Sequence, residues 1–128
     1  MPRNKEKYAR KTIALRRQYY NSVIRHNYRL LWQVLRRRGI GLVCMQYPLH
    51  RVDDLKRMFD SPEGIVFVDN ERVFSDALRY GRYSDYFSDA FAGDFGHCTP
   101  SGNRLIASNL AQAVLKTLSP VSSAKEGR

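Results

Sequence analysis

Ile40-Gly41-Leu42-Val43-Cys44-Met45 is an almost wholly apolar run closed by Gln46-Tyr47-Pro48, and its reading decides the fold class. A half-exposed antiparallel strand alternates apolar with polar residues. An unbroken apolar run of strand length instead predicts a strand buried on both faces in a parallel sheet. Ile65-Val66-Phe67-Val68 is a second such run, closed by Asp69-Asn70. Between the two, Val52 to Phe59 predicts a short helix, and Ser61-Pro62-Glu63-Gly64 predicts a turn. Two apolar strands joined through a helix form a βαβ unit, so the fold class is α/β with a parallel sheet.

Outward from this unit the remaining elements are helical. Upstream, a long helix is expected over about 8–38, with a break near Asn21; Arg36-Arg37-Arg38 followed by Gly39 fits a helix end with a C′ glycine. Its aromatic and aliphatic residues recur at near-helical spacing (Leu15, Tyr19, Val23 and Ile24, Tyr28, Leu31, Leu35), as a buried stripe does. Downstream, Glu71 to Arg79 predicts a short helix, and Tyr80 to Gly96 a long loop with helical turns, a length that is commonly functional. The last helix has Thr99 as N-cap, Pro100 in its first position and a stripe through Ile106, Leu110, Ala113, Val114 and Leu118. Residues 119–128 are expected to be a polar tail. Only two strands are visible where sheets usually have about four to six, so the pattern is half of a larger doubly wound domain.

With 128 residues, 43% of them hydrophobic and 27% charged, the chain is sized for one domain and composed to build a core, which excludes large multidomain, collagen-like and disordered classes. The net charge of +10 is local. Residues 1–38 hold twelve Lys/Arg and one acidic residue, Glu6; residues 39–128 hold ten basic and eleven acidic residues. Such a segment, with Tyr8, Tyr19, Tyr20, Tyr28 and Trp32 as stacking faces, is one way to bind nucleic acid. The plainer reading is an amphipathic helix with a basic solvated face, and no zinc-finger, KH or RRM signature favours the sharper one. No apolar run is long enough to span a bilayer, and Met-Pro-Arg-Asn-Lys does not read as a signal peptide, so a cytoplasmic location is the default expectation. Cys44 and Cys98 form no CxxC; free thiols are expected, with no metal and no cofactor.

The chemistry-bearing constellation is Asp94-Phe95-Gly96-His97, directly before the capped last helix. A carboxylate three residues from an imidazole can bind one ring nitrogen, fix the tautomer and stabilise the imidazolium. By spacing alone such a pair is more often a surface hydrogen bond or a helix-capping arrangement. The wider block from Asp94 to Ala107, DxxH followed by T-x-x-G-N-x-x-x-A, resembles the C-terminal portion of the SGNH (GDSL-like) hydrolases. Leu42 to Pro48 and Ile65 to Asn70 resemble that family's later strands, and the resemblance covers roughly 20–118.

The resemblance implies a three-layer α/β/α, flavodoxin-like domain with its N-terminal strands missing, residues 1–118 forming the C-terminal portion. It implies His97 as the general base that activates a serine, Asp94 as its orienting partner, and an ester or acyl small molecule as substrate of the complete enzyme. The family's Gly-Asp-Ser motif and its oxyanion-hole Gly and Gly-x-Asn are not in this sequence, and none of the ten serines follows Gly-Asp. A hydrolase fragment inactive alone is therefore expected, with self-association or a complementing chain at an unpaired sheet edge. The alternative function is a non-enzymatic binding module whose basic helix takes nucleic acid or an acidic protein.

Other residues have plain readings. Ser101 is expected at the helix start, Cys98 in packing beside it, Cys44 in the core and His26 exposed. His50 is expected to cap the first short helix, although it follows a strand end where ligands of open α/β sheets bind. Asp69 fits a turn and the same cleft equally well.

Overall fold

A computed structural model describes residues 21–91 and 96–118. Its elements are helix α1 (residues 21–37), β1 (Leu42–Met45), α2 (Val52–Lys56), β2 (Ile65–Val68), α3 (Asn70–Tyr80), α4 (Tyr83–Tyr86) and α5 (Pro100–Leu118). The fold is mixed α/β. β1 and β2 are parallel, with Leu42 opposite Ile65 and Met45 opposite Val68, and α2 makes the crossover. The expected first half of the basic helix and the polar tail lie outside the described residues.

The end of α1 follows from its glycine. Gly39 has φ +67°, its N–H donates to the Arg36 carbonyl at 3.1 Å, and the Ile40 N–H reaches back to Leu35 at 3.0 Å. This pair of bonds is a Schellman closure, satisfying carbonyls that the helix leaves unpaired. It reverses the chain into β1.

Two apolar clusters straddle the sheet. Leu42, Cys44, Ile65 and Phe67 pack with Tyr28 and Trp32 of α1 and with Leu55 and Phe59 around α2. Trp32 also donates its indole N–H to the Ser61 carbonyl, and Arg29 pairs with Asp60, tying α1 to the turn that leads into β2. Alternation puts Val66 and Val68 on the opposite face, beneath α5; Val68 is buried there, and Phe74 and Phe87 fill the space between α3 and α4 with ring centroids 5.3 Å apart.

Several expectations need correction. β1 is not covered on both faces: Val43 and Met45 are exposed, because α5 covers β2 and no described element lies beyond β1. The strand is also shorter than the apolar run, since Ile40 and Gly41 are used in leaving the helix. The α1 stripe is only partly buried, with Tyr28, Trp32 and Leu35 turned inward and Val23, Ile24 and Leu31 left exposed. Leu118 is exposed at the end of α5. α2 ends at Lys56, and the turns to Phe59 continue through i−3 bonds from Met58 to Leu55 and from Phe59 to Lys56.

Candidate functional site

The carboxyl ends of the two strands open into a cleft of about 710 Å³, where ligands of open α/β sheets bind. Met45 to Pro48 form one wall, Asn103 and Ile106 of α5 another, and Phe91 with Gly96, His97 and Cys98 the rim. Among the described residues His97 is the imidazole that lines it.

The loop that presents His97 is held by main-chain bonds. Phe87 and Cys98 form an antiparallel bridge, and the His97 carbonyl accepts from both the N–H (2.8 Å) and the hydroxyl (3.1 Å) of Ser88. These bonds bring Asp89 beside His97. One Asp89 oxygen accepts the His97 backbone N–H at 2.6 Å, and the other lies 2.6 Å from the His97 Nδ1. The bond to the imidazole, then that to the backbone N–H, hold the Asp89 carboxyl below its ordinary value. An ionised Asp89 only accepts, so Nδ1 carries the proton and the Nε2 lone pair is left to take one. Phe91 sets its ring at a steep angle to the imidazole, centroids 4.9 Å apart.

Asp94, the expected partner of His97, lies outside the described residues. The carboxylate on Nδ1 is Asp89, eight residues upstream, and sequence reasoning missed it. No local spacing marks it, because the Phe87–Cys98 bridge creates the proximity. Gly96 is the nearest signal: a Cβ there would lie 1.8 Å from the Asp89 carbonyl oxygen and 2.9 Å from its carboxylate, so the two segments approach this closely only through glycine.

The last helix starts as expected. The Thr99 hydroxyl accepts the Gly102 N–H at 3.2 Å and donates to the Asp85 carbonyl at 2.6 Å, capping α5 and anchoring it to α4. The Ser101 hydroxyl accepts from Arg104 in the first turn, a helix-start position. Ser88 meets the His97 carbonyl, and Ser75 and Ser84 are exposed on α3 and α4. Burial pushes the Cys98 thiol up, which keeps it protonated beside Gly102 rather than a thiolate nucleophile. Burial raises Cys44 likewise, in the core.

His50 is not the cap of α2: Arg51 takes the N-cap position, while the His50 N–H closes a turn onto the Tyr47 carbonyl across Leu49, whose φ is 65°. His26 is exposed on α1. Asp69 caps α3 by accepting the Glu71 N–H at 3.0 Å, and it lines a separate groove rather than the cleft. Asn70 beside it is a second residue the sequence reading missed. Fully buried, it donates to the Gln46 carbonyl at 3.0 Å and accepts from Asn109 at 2.9 Å, joining the end of β1, the start of α3 and the middle of α5 behind the cleft. Tyr28 and Trp32 are packed on the core and are not offered as stacking faces.

Among the described residues no cluster of three or more His, Cys, Asp or Glu side chains is arranged to hold a metal, and no helix is long and apolar enough to cross a membrane. No protein-family model, no curated protein and no solved structure matches the chain.

Proposed function

We propose that this chain is the general-base half of an SGNH-like hydrolase site, in which His97 deprotonates a serine hydroxyl supplied by polypeptide outside these 128 residues. The observation that carries the reading is the Asp89–His97 pair on a cleft at the carboxyl ends of parallel strands. Asp89 orients the ring and stabilises the imidazolium formed as the serine attacks an ester carbonyl. The protonated Nε2 then returns its proton to the leaving alcohol. Asp94 remains the partner implied by the family block, with Asp89 the one favoured by geometry. In the complete domain the sheet continues past β1 as a three-layer α/β/α structure, which accounts for the uncovered Val43 and Met45.

The test uses what the chain itself holds. A buried or oriented imidazole cleaves activated esters slowly without serine. Purified chain is expected to hydrolyse p-nitrophenyl acetate faster than free imidazole at the same concentration, and to take no fluorophosphonate label. His97→Ala abolishes the excess over free imidazole, and Asp89→Asn lowers it by about tenfold or more by releasing the tautomer. A rate unchanged in His97→Ala would refute the reading. Equal loss in Asp94→Asn, with Asp89→Asn silent, would reassign the orienting role to Asp94.

A further inference from the structure

We propose that the outer edge of β1 is the two-fold interface of a homodimer, in which β1 pairs antiparallel with β1 of a second copy. The inference concerns the 128-residue chain by itself: the edge that further strands would take in a complete hydrolase domain is taken here by a second copy, and assembly is read out independently of His97 chemistry.

The main chain sets the register. The Gln46 N–H donates to the Val68 carbonyl, so by the alternation of a parallel ladder Leu42, Cys44 and Gln46 turn their main-chain groups toward β2. Val43 and Met45 turn theirs outward, where no strand lies among the described residues. Across a two-fold axis this edge complements itself: Val43 exchanges both hydrogen bonds with the second copy's Met45, and Met45 with its Val43. Cys44 then faces its own symmetry mate at a non-hydrogen-bonded position, where Cα atoms are about 4.5 Å apart. The product is a four-stranded sheet, within the usual size.

The helix layer agrees. Arg29 and Trp32 bind residues 60 and 61, so that flank of α1 faces β2. At about 100° per residue, Val23, Ile24, Leu31 and Val34 fall on the opposite flank, the side of the free β1 edge. These four and Val43 and Met45 are each 39–45% exposed. They offer apolar surface on both faces of the free edge, the α1 residues on one and Val43 with Met45 on the other, and the area they can bury lies below about 1,200 Å², in the range of weak, transient assemblies.

Charge complements shape. Arg36, Arg37 and Arg38 are exposed where the chain enters β1, and Asp69 and Glu71 stand where it leaves β2. Antiparallel pairing lays the arginine end of each copy against the carboxylate end of the other. The two arginine clusters are then about 13 Å or more apart along the strands, beyond the roughly 8 Å screening length at physiological salt.

Sedimentation equilibrium of the 128-residue chain is expected to give twice its 14.9 kDa mass. Val43→Pro removes an outward N–H and no bond to β2, and Val43→Lys places a cation on each side of the axis while keeping every main-chain group. Each is expected to weaken the dimer by about tenfold or more, with the circular dichroism of the parent. In a Cys98→Ser chain, mild oxidation at alkaline pH is expected to yield a reducible dimer linked through Cys44. A mass of 14.9 kDa at every concentration overturns the proposal, as does a dimer indifferent to Val43→Lys; absence of the Cys44 cross-link in a Val43-dependent dimer overturns the register.

Discussion

At His97 the two ring nitrogens have separate duties, and Asp89 separates them. Because the bonds from His97 hold the Asp89 carboxyl below the ordinary value of 3.8, the folded state binds that proton less readily than the unfolded chain does. The sign follows from linkage: the contribution of Asp89 is present above the ordinary value and is lost as pH falls through the lower folded one. Acid titration followed by NMR is therefore expected to show the His97 backbone amide losing its carboxylate partner only below pH 3.8; loss of that bond at pH 5 or above would contradict it. Gly96 is the companion test. A methyl group at 1.8 Å from the Asp89 carbonyl cannot be accommodated without moving backbone. Gly96→Ala is expected to cost about 1–3 kcal/mol in urea denaturation and to lower ester cleavage as Asp89→Asn does. An unchanged midpoint would mean the loops are not so closely apposed.

α5 is the element that joins cap, cleft and sheet. Thr99, Pro100 and the stripe through Ile106 and Leu110 are legible in sequence because capping and helical spacing are local properties. What the helix docks against is not local. Gly102 admits the Tyr86 carbonyl where a Cβ would lie 2.3 Å from it, and Asn109 reaches Asn70 and the Asp69 carbonyl. Thr99→Ala is expected to cost about 1 kcal/mol, mostly as fraying of the first turn. Asn70→Ala removes the side-chain donor to the Gln46 carbonyl and one of the two acceptors of the Asn109 amide, which keeps the Asp69 carbonyl, and is expected to cost about 1–3 kcal/mol. Chemical denaturation ranks the two, and a smaller loss for Asn70→Ala would show that water replaces the missing amide.

Across the whole molecule, stability rests on two small clusters either side of two strands. Phe74 is fully buried against Tyr86 and Phe87, so Phe74→Ala removes the centre of one cluster. The usual loss for such a change, about 3–5 kcal/mol, approaches the whole stability of a marginal domain. The variant is expected to lose its cooperative thermal transition; a retained transition with a drop of only a few degrees would mean that the cluster on the α2 side carries the fold.

Local order was legible in the residues: the βαβ unit from two apolar runs, the glycine closure after Arg38 and the capped last helix each depend on a few neighbouring side chains. Coverage and partnership were not. The same apolar run describes a strand covered on both faces and one left bare at Val43 and Met45, because burial depends on which element arrives from elsewhere. Likewise the sequence put a histidine in the loop before α5, while tertiary structure chose Asp89 for its Nδ1, through a bridge between Phe87 and Cys98 that no spacing rule encodes.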